Sequence, residues 1–216
     1  MELFRVGLYI SRRFNSTLAV TPRLLDLRIG KIVEIKKHEN ADKLYVSQVA
    51  VSGAKPDESS QGKLDGNIEH VTKTVQVCSG FVGFVPKSEL LNKRVVLVMN
   101  LKPSKMRGVR SEAMLLAAEK RINNTDIIPN FKVQVVQPPE HGEIGQSLQF
   151  KGFEGELGDE LRRVNRKKWE KIASGLKTNN KGEVCYIDES CTLGFDVDNW
   201  REVCTVSNEF RNCKVR

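Results

Sequence analysis

The stretch Asn100–Met114, NLKPSKMRGVRSEAM, constrains the fold most, because it is a charged bend held between two apolar runs, Val95–Met99 and Met114–Ala118. Pro103 and Gly108 punctuate it and argue against a helix through it, so the flanking runs read as strands. Loops mounted on a rigid sheet are where binding residues are usually presented. Lys102, Lys105, Arg107 and Arg110 follow one another with no acid until Glu112, and Ser104 and Ser111 add hydroxyls. That chemistry suits a phosphate backbone. A solvated turn carrying charge for solubility fits the composition equally well.

The chain has 216 residues, enough for one large domain or two small ones. Charged residues make up 29% and hydrophobic residues 39%, an ordinary soluble composition rather than a disordered one. The formal net charge of +8 favours anionic partners, nucleic acid or an anionic membrane surface, without choosing between them. No apolar run approaches the ~20 residues of a transmembrane helix. Residues 1–20 carry Arg5, Arg12 and Arg13 against the single acid Glu2, with Ser11, Ser16 and Thr17 among large apolar residues. That is the composition of a mitochondrial transit peptide, with cleavage expected between Phe14 and Thr21, and it places the protein in the mitochondrial matrix, with the cytoplasm as the alternative. The cysteines, Cys78, Cys185, Cys191, Cys204 and Cys213, include no CxxC pair, so no metal site is expected. Buried thiols in a reducing compartment are expected, with a disulfide among the C-terminal four as the alternative.

From Leu25 the chain alternates: Leu25, Leu27, Ile29, Val33 and Ile35 occupy one face of a half-buried strand, and Gly30 suggests a bulge within it. A polar turn at Asn40–Leu44 leads to a second strand, Tyr45–Val51. Residues 53–70 read as a long polar hairpin loop, and Thr74–Cys78 as a third strand. Pro86 followed by Glu89 starts a short helix that ends near Asn92. Arg94–Met99 is the fourth strand, and Ala113–Ala118 follows the basic bend as the fifth. Five strands with one small helix before the fourth predict a Greek-key barrel of the oligonucleotide-binding (OB) type over residues 21–122. After a short join at 123–130, residues 130–216 read as a smaller β-rich domain with one or two short helices, making the whole mainly β. Within it, Lys132–Val136 is a strand and Asn165–Leu176 a helix with Trp169, Ile172, Ala173 and Leu176 on one face. The bases around that helix, including Arg166, Lys167, Lys168 and Lys171, are either a solvated face or a second basic patch.

The chain contains no GxGxxG, GxxxxGK[ST] or GxSxG motif, and no catalytic residues are assigned. His38, His70 and His141 lie far apart in polar turns, where a solvated histidine is the usual outcome. No carboxylate pair sits in an apolar setting that would split its pKa values. A binding protein without a cofactor is therefore expected.

Three strings, DLRIGKIVEIKKHENADKLYVSQVAV, CSGFVGFVPKSELLNKRVVLVMNLKPSKMRGVRSEAMLLAA and KKWEKIASGLKTN, resemble the tRNA-binding domain of the endothelial monocyte-activating polypeptide II family. That family includes the fungal aminoacylation cofactor and the C-terminal extensions of some tyrosyl- and methionyl-tRNA synthetases. The resemblance implies an OB barrel with a second domain packed on it, a monomer, and tRNA recognition by shape and backbone with no catalysis. It implies tRNA-binding roles for Asn40, Lys43, Ser79, Lys87, Lys102, Ser104, Lys105, Met106, Arg107, Ser111 and Met114, with Lys102, Lys105 and Arg107 on phosphates and Met106 on a ribose or exposed base. Asp42 would be structural, bonding amides of its own turn. The implied function is tRNA binding in support of aminoacylation. The alternative is a scaffold that docks on an aminoacyl-tRNA synthetase with little RNA contact. The 53–70 loop is longer and more acidic than in the family, and the ending VSNEFRNCKVR departs from it.

Overall fold

The first strand, β1 (Leu27–Lys37), is the hub of the molecule. The computed structural model describes residues 20–52, 73–122, 131–155, 163–195 and 202–216. The expected transit peptide with its cleavage point, the 53–70 loop and the join at 123–130 lie wholly or largely outside these residues. β1 pairs antiparallel with β2 (Tyr45–Ala50) through Lys31–Lys37, and with β4 (Arg94–Val98) through Leu27–Lys31. β3 (Thr74–Ser79) lies on the other side of β2. Between β3 and β4 a one-turn helix, α1 (Lys87–Leu90), follows Pro86 and inserts the fully buried Leu90 under the barrel. It is shorter than the sequence predicts; Leu91 is already extended, and Asn92 adopts a positive φ of 64°.

The alternation in β1 does not run through unbroken. The register slips between Ile32 and Glu34, so Val33 points outward at 44% exposure while Ile32 and Ile35 are buried. The bulge therefore sits at Val33 and not at Gly30. What Gly30 provides instead is clearance, since a Cβ there would lie 2.7 Å from both Leu97 Cδ1 and Val49 Cγ1. β1 passes its neighbours too closely for any side chain at that point. Gly30→Ala is expected to cost about 1–3 kcal/mol through overpacking. The check is a lower urea midpoint at unchanged slope; an unchanged midpoint means Leu97 and Val49 can step aside.

β4 explains why its sequence is an unbroken apolar run rather than an alternation. Val95 and Leu97 face one core, with Ile32, Ile35, Val49, Val77 and Leu115. Val96 and Val98 face a second, with Leu27, Ile29, Leu148, Phe150 and Leu193. A strand buried on both faces has no polar side to show.

The basic bend is itself regular: β5 (Ser104–Met106) and β6 (Val109–Ser111) form a two-stranded hairpin. After it, β7 (Met114–Leu115) returns to pair with β4, and the chain continues as β8 (Ala117–Arg121). The fifth expected strand is thus divided. The barrel closes between β3 and residues 110–112 partly through side chains. Ser111 Oγ accepts the Cys78 N–H at 2.9 Å, Glu112 Oε2 accepts the Gln76 N–H at 3.1 Å, and the Gln76 amide donates to the Arg110 carbonyl at 2.8 Å.

The remaining strands join the same network. β9 (Phe131–Val135) pairs with β8, and β10 (Ser147–Phe150) with the start of β1. Helix α2 (Arg166–Ala173) is capped by Asn165, whose side chain accepts the Lys168 N–H at 3.0 Å. It ends before Leu176, which instead opens β11 (Leu176–Thr178). β12 (Val184–Tyr186), β13 (Asp188–Phe195), β14 (Glu202–Val203) and β15 (Lys214–Val215) complete the sheet, with β15 pairing back onto β8. All five thiols are free and all but Cys191 are buried; burial pushes the Cys185 thiol up to about 11.

Candidate nucleic-acid interface

The hairpin turns through Arg107 and Gly108, both at positive φ, 49° and 93°. A two-residue connection of that kind matches the twist of the flanking strands, but it normally carries Asn or Asp where Arg107 stands. An arginine in left-handed backbone is strained, and such residues cluster at functional sites. The ladder sorts the side chains. Ser104 faces Ser111 and Met106 faces Val109 on one side, while Lys105 faces Arg110 on the other. Two like charges opposite each other weaken an exposed ribbon by roughly 0.2–1 kcal/mol. Arg110 is partly offset by Glu112 at 3.9 Å; Lys105 and Arg107 have no carboxylate partner among the described residues.

The hairpin is nevertheless held firmly. Its second strand is tied to β3 by the Ser111, Gln76 and Glu112 bonds described above. Its tip is tied to the turn after β1 by His38. That histidine is only 5% exposed, against the expectation of a solvated turn residue. Its Nδ1 accepts the Asn40 N–H at 3.0 Å, which leaves the ring proton on Nε2 to donate to the Met106 carbonyl, 3.2 Å away. His38 thereby brings the turn carrying Asn40 and Lys43 beside the basic hairpin. Asp42 does not organise this turn as expected: its side chain is 99% exposed, with Lys37 Nζ 3.4 Å away.

The base of the hairpin touches the segment that leads into α2. Leu101 bridges to Val164, Lys102 N–H donates to the Val164 carbonyl at 3.2 Å, and Val164 N–H to the Asn100 carbonyl at 2.8 Å. The exposed Arg166 and Lys167 and the half-buried Lys168 start two positions later. The two basic segments found in the sequence are therefore neighbours, a relation no local pattern could reveal. Arg166 is engaged with Glu170 at 2.7 Å, which leaves Lys167 and Lys168 the freer pair.

The residues expected to bind tRNA divide by position. Asn40, Lys43, Lys102, Ser104, Lys105 and Arg107 are exposed on or beside the hairpin. Lys87 is exposed on α1, and no hydrogen bond or ion pair among the described residues joins it to the hairpin. Ser79, Met106 and Met114 line a cavity between the hairpin, β3 and α2. Ser111 is the correction. It is 5% exposed, and its hydroxyl is spent on the Cys78 N–H and the Ala113 carbonyl, so it closes the barrel instead of meeting a ligand. Arg110 and Lys167 belong with the exposed group, and Lys168 is half-buried beside them.

Residues 63–147 match the family model described as "Putative tRNA binding domain". The chain is 36% identical over 187 residues to the probable methionine–tRNA ligase of Oryza sativa subsp. japonica, covering 87% of this chain and 20% of that protein. It is 40% identical over 155 residues to the aminoacyl tRNA synthase complex-interacting multifunctional protein 1 of Cricetulus griseus, covering 72% and 35%. Identity to the tRNA-aminoacylation cofactor arc1 of Schizosaccharomyces pombe is 35% over 170 residues, covering 78% and 32%. The chain thus spans between a fifth and about a third of the length of these relatives. Its fold matches that of the C-terminal domain of Plasmodium vivax p43 with a TM-score of 0.61 at 20% identity, over 90% of this chain and 98% of that one. Residues 63–147 therefore match the model of a tRNA-binding domain, within a chain that is similar along most of its length to part of a tRNA-aminoacylation cofactor and part of a methionine–tRNA ligase.

Proposed function

We propose that this chain binds tRNA through the basic hairpin and the turn beside it, catalyses no reaction itself, and supports aminoacylation by holding tRNA. The observation that carries this is the pinned hairpin. A fold that fixes Lys105 opposite Arg110 keeps a like-charge pair that an anionic ligand would relieve, and it holds Arg107 beside them in left-handed backbone. Lys43, Lys102, Lys105, Arg107 and Arg110 contact phosphates, and Asn40 and Ser104 add neutral hydrogen bonds. Contacts of this kind position a backbone without reading sequence. The relatives support the reading, since their names join them to tRNA ligation. The barrel over 21–122 and the part over 130–216 act as one monomeric unit, and residues 1–20 direct it to the mitochondrial matrix.

The decisive measurement is tRNA binding against salt. If about five phosphates are engaged, log affinity falls against log salt with a slope of roughly −3.5 to −4.5. A slope near zero contradicts backbone recognition. The Cricetulus griseus relative is named for interacting with a synthetase complex, which keeps a docking role in view. Pull-down after ribonuclease treatment separates the two readings: a scaffold retains its synthetase and a tRNA-bridged contact is lost.

A further inference from the structure

A cavity of about 330 Å³ opens between the basic hairpin and α2. Phe81, Phe84 and Trp169 contribute aromatic surface to it, and Met106 and Met114 contribute thioethers. Phe84 is 44% exposed and Met106 38% exposed, so large apolar surface is left open to water, part of it on the hairpin that carries the exposed cations. Ser79, 7% exposed, forms part of the wall, and its buried Oγ has no hydrogen-bond partner. Resting on the tRNA-binding reading above, we propose that this cavity receives one unstacked nucleobase from an RNA strand whose phosphates lie on the hairpin.

Three features select a base over other occupants. Flat aromatic and polarisable sulfur surfaces stack on the face of a base, and proteins that hold single strands combine such platforms with cations that track the backbone. A rotation of the Ser79 side chain would bring its buried, unpartnered hydroxyl to the polar edge of a base, whereas an aliphatic side chain would leave it unpaired at a cost. Charge agrees with this: Met106 and Trp169 belong to the two elements that also carry the exposed Arg107 and Lys167, where phosphates of the same strand can be held, whereas the charged lining residues Glu119 and Arg216 already pair with each other. A base that enters here must be free of its own stack, so it comes from a single-stranded end or an exposed loop nucleotide, not from a paired helix.

Gly80 supplies a clean test. It lines the cavity, its φ is not positive, and a Cβ placed on it meets nothing within 4 Å. Gly80→Leu therefore places a bulky side chain at the wall of the cavity without strain and without removing a cation. The experiment uses the full chain with Trp200→Phe, which leaves Trp169 as the sole tryptophan of the two in the sequence. Three probes are titrated: a blunt RNA hairpin, the same hairpin with a short single-stranded overhang, and a nucleoside monophosphate. The overhang RNA is expected to quench Trp169 and to bind about tenfold more tightly than the blunt form, one base stack in size. Gly80→Leu should erase that tenfold difference at an unchanged salt slope, and Ser79→Ala should reduce it about threefold. The monophosphate should quench only at millimolar concentration. Equal binding of blunt and overhang RNA by the parent protein overturns the proposal. So does a folded Gly80→Leu variant that keeps the difference, or a monophosphate that binds as tightly as the overhang. Failure to bind any RNA overturns the underlying reading as well, which separates the two failures.

Discussion

Replacing Lys105 and Arg107 together by alanine is expected to weaken tRNA binding about twentyfold at ~0.15 M salt and to leave the melting temperature unchanged or slightly higher. The size follows from counterion release. Each phosphate contact contributes roughly 0.8 to the log–log salt slope, and at ~0.15 M salt that is about 0.7 log units of affinity per contact. Two contacts give roughly twentyfold, and the slope itself should flatten by about 1.6. The sign of the stability change is the discriminating part. Lys105 stands opposite Arg110 in the ladder and Arg107 sits at a positive φ, so neither side chain stabilises the hairpin they occupy. Removing Lys105 relieves a like-charge pair. If affinity falls only in step with a falling melting temperature, the two residues support the fold and the interface lies elsewhere.

What the sequence disclosed about this fold was set by how local each signal is. The apolar run Val95–Met99 and the alternation after Leu25 depend on neighbours one or two positions away, and the strands they predict are present at β4 and β1. The slip at Val33 was hidden, since a bulge changes the partner strand's register and leaves no mark in composition. The β5–β6 hairpin shows in the sequence only as a bend, for a chemical reason. Asn-Gly or Asp-Gly would have announced the turn, whereas Arg107-Gly108 conceals it. His38 looked like a loop histidine because its partner, the Met106 carbonyl, lies 68 positions away. The cations were legible as a class, and their neighbours were not. The approach of α2 to Lys102 depends on the Leu101–Val164 bridge, and the grouping of Ser79, Met106 and Met114 around one cavity depends on barrel closure.

Ser111→Ala should then behave as a lesion of the barrel and not of the binding surface. The hydroxyl accepts the Cys78 N–H at 2.9 Å and donates to the Ala113 carbonyl at 2.9 Å, both buried. Alanine leaves that N–H without an acceptor in a dry seam, a loss of about 1–3 kcal/mol. In a chain of this size that lowers the melting temperature by roughly 3–9 °C. The seam has little redundancy, because beside it Glu112 Oε2 takes the Gln76 N–H and Glu112 N–H donates to the Gln76 carbonyl at 2.8 Å. Adding Glu112→Ala should therefore cost more than the two single losses summed, since the groups share one strand junction. The salt slope of tRNA binding is the second readout. A phosphate ligand, when removed, flattens the slope by about 0.7–0.9 and spares stability. A seam residue does the reverse, lowering stability at an unchanged slope. Were Ser111→Ala to flatten the slope while melting at the parent temperature, the hydroxyl would have to leave Cys78 in the bound state, and β3 and β6 would have to part when RNA arrives.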